Sequence, residues 1–141
     1  MAKAVVYYSS RKGTTKYFGE EIGDYLKTKG IENKVYSVYD ARPGQLEGVD
    51  FVLLGCWTHG LFVVLQHPPK PWVEFVRDLP EIKGKKIALF ATYKLATGSL
   101  FSKMKKLLNG KIDSVNLILK SKSDKLDDKN KALLDEFIIN K

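Results

Sequence analysis

The residues best suited to chemistry cluster first in Ser9-Ser10-Arg11-Lys12-Gly13-Thr14-Thr15. Hydroxyls stand on both sides of Gly13, two cations precede it, and a helical pattern begins directly behind. Hydroxyls and backbone N–H groups donate to phosphate oxygens, a helix start adds partial positive charge, and glycine lets the backbone approach a ligand closely. These are the parts of a phosphate cradle. The spacing is neither that of a Walker A loop nor that of a GxGxxG fingerprint. The same residues also suit a polar turn that caps a helix, because hydroxyl-rich turns are common after strands.

Other chemistries are poorly supplied. The one cysteine, Cys56, would need an arginine six positions on to act as a low-molecular-weight phosphatase nucleophile, and Phe62 stands there. A small buried or cofactor-adjacent thiol is its expected role. A zinc site lacks ligands, since His59 and His67 are the only histidines. No catalytic triad or carboxylate pair stands out.

The elements that must position these residues follow from the apolar pattern. Ala4 to Tyr8, Glu32 to Val38, Phe51 to Gly55, Lys86 to Thr92 and Val115 to Leu119 read as five strands. Two of them, Ala4 to Tyr8 and Phe51 to Gly55, are apolar without alternation, which suits burial on both faces. Helical spacing runs over Gly13 to Lys29, with Phe18, Ile22, Tyr25 and Leu26 on one face and Gly30 as a C-cap. Gly19 and Gly23 inside it cost about 1 kcal/mol each relative to alanine, and close packing on the sheet is the expected reason. Further helices are expected over Trp72 to Leu79, over Ser99 to Leu108 with Ser99 as N-cap, and at the C-terminal end, where Leu126, Leu133, Leu134, Phe137 and Ile138 share a face. A Pro/Gly loop with one helical turn fills Asp40 to Gly48. Strands alternating with helices imply a parallel sheet covered on both sides, and ligands in such folds sit beyond the C-terminal strand ends. The loops at 9–15, 56–71 and 92–98 are therefore the ones to inspect.

With these residues in place the chain resembles the flavodoxin family, short-chain type. In that family the first loop reads Thr/Ser-x-Thr-Gly-x-Thr and binds the FMN phosphate; Ser10, Gly13 and Thr15 match, and Lys12 stands where Thr or Ser is usual. Gly55-Cys56-Trp57-Thr58-His59-Gly60 is similar to a second flavin loop reading Gly-Cys-Ser-Thr-Trp-Gly, with Gly55, Cys56, Thr58 and Gly60 matching. Register puts His59 at the flavin-stacking place, whereas the larger π-face belongs to Trp57; we place His59 at the ring with Trp57 beside it. The resemblance implies that the peptide at Gly60 flips to accept the N5–H of reduced flavin. Thr92-Tyr93-Lys94-Leu95-Ala96-Thr97-Gly98 resembles the third loop, which implies Tyr93 stacked on the flavin or at its edge and backbone N–H groups of Thr92 to Lys94 on its carbonyls.

The resemblance implies one α/β domain over residues 1–141, a three-layer α/β/α sandwich on a five-stranded parallel sheet of order 2-1-3-4-5. The implied cofactor-binding set is Ser9, Ser10, Arg11, Lys12, Gly13, Thr14, Thr15, Cys56, Trp57, Thr58, His59, Gly60, Thr92, Tyr93, Lys94 and Gly98, with no catalytic residue and no metal ligand. The implied function is FMN-dependent electron transfer between redox partner proteins. Two alternatives remain: a flavin-dependent reductase or quinone-type oxidoreductase, and a binding module that has lost FMN.

Composition sets the outer bounds. The chain has 141 residues, 44% hydrophobic and 28% charged, which suits one globular domain rather than a disordered chain. A single cysteine excludes an internal disulfide, no apolar run is long enough to span a bilayer, and no signal-peptide core is evident, so a cytoplasmic address is expected. The 24 Lys and Arg outnumber 16 Asp and Glu, a net charge of +8. That points to an acidic redox partner or an acidic membrane-associated complex, and to a less negative potential for the reduced flavin than acidic family members give it. The lysines are spread without a nucleic-acid-binding motif, so nucleic acid is not expected as a partner. A receiver domain would need acids after the first and third strands, where Ser9-Ser10 and Gly55-Cys56 stand. The apolar run Leu61 to Leu65 is expected to cover the flavin, to form a homodimer or partner contact, or to be an extra turn tucked over the sheet edge.

Overall fold

The computed structural model describes residues 2–61 and 64–139. Phe62 and Val63, in the middle of the apolar run Leu61 to Leu65, lie outside the described residues. In chain order the elements are β1 (Lys3–Ser9), α1 (Thr14–Thr28), β2 (Glu32–Ser37), two 3-10 turns (Val38–Asp40 and Pro43–Leu46), β3 (Phe51–Trp57), β4 (His59–Leu61), β5 (Val64–His67), α2 (Lys70–Asp78), β6 (Lys86–Thr92), α3 (Leu100–Leu107), β7 (Leu117–Ser121) and α4 (Asp128–Ile139).

Five strands form one parallel sheet in the order β2-β1-β3-β6-β7. Counted within the sheet this is the expected 2-1-3-4-5. The higher labels arise because β4 and β5 form a separate antiparallel hairpin, where only a long connection was anticipated. Successive side chains of the central strands point to opposite faces, and both faces are covered. Val5, Tyr7, Val52, Leu54, Ile87 and Leu89 pack with Trp72, Phe75 and Val76 of α2 and Leu100 and Met104 of α3. Ala4, Val6, Phe51, Leu53, Ala88 and Phe90 pack with Phe18, Ile22 and Leu26 of α1 and Leu134 and Phe137 of α4. Burial on both faces accounts for the unbroken apolar runs.

Helix α1 ends in paired bonds, Gly30 N–H to Lys27 O and Ile31 N–H to Leu26 O, each 3.0 Å. This closes the last turn as the C-cap reading required. Its internal glycines differ. A Cβ at Gly23 would lie 2.7 Å from both Asn33 Oδ1 and Val35 Cγ2, so close packing on β2 demands glycine there. At Gly19 the nearest atoms would be 3.6 Å away, ordinary contact, and close packing does not account for it.

Three other expectations shift. Ser99 stands at the N-cap of α3 but makes no side-chain cap; its hydroxyl donates instead to Gln66 O at 3.0 Å. Leu107 is exposed rather than core-facing, and Leu126 is buried ahead of α4 rather than on it. The fifth strand begins and ends two residues later than the apolar run suggested, at Leu117–Ser121.

The register brings the site together. Ser9 pairs with Cys56, Trp57 with Thr92, and Thr92 with Ser121. The C-terminal ends of β1, β3, β6 and β7 therefore lie along one edge. The chain leaves β1 toward β2 on one side and returns to β3 on the other, which makes the β1/β3 boundary the switch point.

Candidate functional site

The first loop is built around Gly13, whose φ of +97° lies in the left-handed region that glycine adopts at least cost. Its N–H donates to Ser10 Oγ at 3.0 Å, which folds the loop back on itself. Gly13 is also the N-cap of α1, and no side chain caps that helix. The capped-helix reading of these hydroxyls therefore fails. The first-turn N–H groups of α1 have no helical acceptors, and a helix start of this kind suits an anion. No acidic side chain stands in that first turn to oppose an anion.

A cavity of about 560 Å³ opens at the strand ends, within the range of small-ligand sites. Ser10, Arg11, Lys12, Thr14 and Thr15 line it from the first loop, Trp57, Thr58 and His59 from the second, and Thr92, Tyr93 and Lys94 from the third. The loops are tied to one another. Thr15 and Thr92 share a 2.6 Å hydrogen bond between hydroxyls. Both the N–H and the hydroxyl of Thr58 donate to Thr92 O at 3.0 Å, and Tyr93 N–H donates to Ser121 O at 3.1 Å. The rings of Trp57 and His59 are stacked at 4.7 Å, His59 and His67 meet at 4.7 Å across the β4–β5 hairpin, and the Arg11 guanidinium lies 5.4 Å from the Trp57 ring.

Four residues of the expected set, Ser9, Gly13, Cys56 and Gly98, do not line the cavity. Ser9 is buried at the end of β1, and Gly13 shapes the loop from behind its lining residues. The Cys56 thiol is buried in β3, and burial pushes its pKa well above the usual thiol value, so it is no nucleophile. Gly60 lies in β4. Gly98 serves packing, because a Cβ there would sit 2.4 Å from Gln66 Oε1. Conversely, Gln66, Leu95, Ala96 and Lys122 line the cavity without having been singled out. Leu95 and Ala96 belong to the third loop already under suspicion. Gln66 carried only the faint signal of a polar residue ending an apolar run, and Lys122 none beyond its charge.

The flavodoxin family model matches residues 6–137 of this chain. The chain belongs to the flavodoxin family. Two curated flavodoxins agree: that of Clostridium beijerinckii is 28% identical over 106 residues, 75% of each chain, and that of Megasphaera elsdenii is 30% identical over 95 residues, 67% of this chain and 66% of the other. The solution structure of the two-electron reduced Megasphaera elsdenii flavodoxin superposes with a TM-score of 0.81 over 98% of this chain and 99% of that one, at 24% identity. As a flavodoxin the protein is an FMN-binding electron-transfer protein that passes electrons to redox partner proteins. Flavodoxins are themselves the standing example of a ligand held at the β1/β3 switch point. This chain's residues fit the group: the first loop offers an uncapped helix start with a glycine in the left-handed region, beside a cavity of small-ligand size. Among the described residues no helix is long and apolar enough to cross a membrane, and no group of three or more metal-ligating side chains occurs.

Proposed function

We propose that the 560 Å³ cavity is the FMN site of this flavodoxin. The observation that carries the assignment is the uncapped N-terminus of α1 behind Gly13, opening at the edge where the three loops meet. The Ser10–Thr15 loop holds the phosphate through its hydroxyls and the free helix N–H groups, with Arg11 and Lys12 as counter-charges. His59 lies at the flavin ring with Trp57 stacked beside it, and Tyr93 borders the ring from the third loop. FMN supplies reversible electron uptake; the chain binds, orients and partly shields it, and no acid, base or nucleophile is needed for that.

The charge around the cavity tunes the carrier. Reduction adds negative charge to the flavin ring, and Arg11, Lys12, Lys94 and Lys122 line the cavity with no carboxylate among its described lining residues. Nearby cations favour the more negative state, so the reduced form is stabilised relative to its state in an acidic flavodoxin. For one electron about 59 mV corresponds to a tenfold change in the equilibrium. The experiment is an anaerobic potentiometric titration of the FMN-loaded protein beside an acidic flavodoxin in the same buffer. A potential less negative by tens of millivolts, drawn back by Lys94→Glu and Lys122→Glu, supports the reading. A potential as low as that of the acidic protein, unmoved by the substitutions, removes it.

A further inference from the structure

The cations at the cavity fall into two groups. Arg11 and Lys12 belong to the first loop, where the phosphate reading uses them. Lys94 and Lys122 come from the third loop and from just beyond β7. The ammonium groups of Lys120 and Lys122 also lie 5.9 Å from the Tyr93 ring. All four cavity cations are solvent-exposed. The net charge of +8 therefore has a local expression at the cavity mouth.

Two exposed leucines stand on segments that contribute to the cavity, Leu95 on the third loop and Leu65 on β5. Leu95 lines the cavity and is 60% exposed. Leu65 precedes the cavity-lining Gln66 and is 67% exposed, while Gln66 is buried. Leu65 also has a φ of +60°, a conformation that bulky L residues avoid. Its burial does not repay that strain. Strained backbone of this kind clusters at functional sites, where the surroundings hold it for a purpose outside the fold.

We propose that the cavity mouth is the docking face for an acidic electron-transfer protein, with Leu65 and Leu95 as apolar contacts within a belt of Arg11, Lys12, Lys94 and Lys122. The proposal rests on the reading of the cavity as the FMN site. Charge complementarity selects the occupant: an acidic face is drawn to this belt, and a second copy carrying the same belt is repelled by it. The leucines supply contact that excludes water at the centre while the cations form the polar rim.

The test uses the FMN-loaded protein, with visible absorbance read first to establish that flavin is bound. Reduced anaerobically, it is mixed with cytochrome b5, an acidic haem protein, or with cytochrome c, a basic one; each haem iron takes up one electron, ferric to ferrous. The expected result is association with cytochrome b5 that slows about tenfold or more between low and high salt, with cytochrome c showing no such attraction. Lys94→Glu with Lys122→Glu slows the cytochrome b5 reaction by a similar factor. Lys105→Glu with Lys106→Glu, the same charge change on exposed positions of α3, has a smaller effect. Calorimetry of the oxidised proteins gives a second readout, in which Leu65→Ser weakens the complex severalfold with flavin absorbance retained. Faster reaction with cytochrome c at low salt, equal damage from the α3 pair, or a wild-type dimer that Leu65→Ser dissociates overturns the proposal. Missing flavin absorbance overturns the cofactor reading instead, and calorimetry of the apoprotein with cytochrome b5 then decides the docking face separately.

Discussion

Thr15 Oγ1 and Thr92 Oγ1 lie 2.6 Å apart, both residues buried, joining the start of α1 to the end of β6 across 77 positions of sequence. The bond fixes the first loop against the third loop, and Thr92 O in turn holds Thr58 of the second. Thr92→Val keeps the shape but leaves the Thr15 hydroxyl buried without this partner, a loss of about 1–3 kcal/mol. Urea unfolding is expected to show that loss, with weaker FMN binding. Thr15→Val with Thr92→Val should cost less than the sum of the single changes, because both partners of one bond are removed. Full additivity would mean that the hydroxyls do not act as a pair.

Gly55 illustrates how a motif match divides between packing and ligand. It pairs with Phe90 across β3 and β6, and a Cβ there would lie 2.1 Å from Phe90 Cε2. Its match to the family's second loop thus reflects the neighbouring ring. Gly55→Ala is expected to destabilise the fold by about 1–3 kcal/mol, with part recovered by adding Phe90→Leu. Thermal unfolding of the single and double variants checks both statements; a neutral Gly55→Ala would show that the ring moves aside freely.

The same division explains what was legible in the sequence. Strands buried on both faces announce themselves, so Ala4 to Tyr8 and Phe51 to Leu54 needed no context. The first loop was legible because its chemistry is local to seven residues. Strand ends were less clear: Cys56-Trp57 and Lys120-Ser121 continue their ladders at the cavity edge, where the apolar pattern has stopped but hydrogen bonding has not. The β4–β5 hairpin was missed because it depends on pairing His59 with His67 outside the main sheet, and an apolar run alone does not reveal its partner. Gln66 was beyond reach for a similar reason, being set by its contacts with Gly98 and Ser99 in a distant loop.

Lys111 joins the end of α3 to the end of α2. Its ammonium donates to the carbonyl oxygens of Val76, Arg77 and Leu79 at the C-terminal end of α2, where Val76 O also accepts the Leu79 N–H. Lys111→Met keeps the aliphatic stem and removes these charge-assisted bonds. A loss of about 1–3 kcal/mol in chemical unfolding is expected. FMN absorbance should be unchanged, since the cavity lies at the other end of the sheet's strands. Unaltered stability would show that water replaces the ammonium at no cost.

Alkaline pH should weaken the fold. Burial, aided by the neighbouring Tyr36, pushes Tyr7 from 10.0 up to about 12, and burial raises Cys56 as well. The folded chain keeps these protons at pH values where the unfolded chain has released them. The unfolded state therefore binds fewer protons, and stability falls as pH rises through about 9 to 11. Urea midpoints at pH 8 and pH 10.5 check the direction. A midpoint that holds or rises would contradict the buried, protonated state of these groups.

The central claim is that the loop around Gly13 holds the phosphate of FMN. Titration of the apoprotein with FMN, followed by flavin fluorescence, tests it most directly in wild type and Gly13→Val. At Gly13 a side chain meets both a φ of +97° and the Tyr17 ring, whose Cε2 would lie 3.3 Å from the new Cβ. The account predicts one-to-one binding by the wild type and markedly weaker binding by a folded Gly13→Val. FMN that stays free in the presence of folded wild-type protein, or that binds both forms equally, would contradict it.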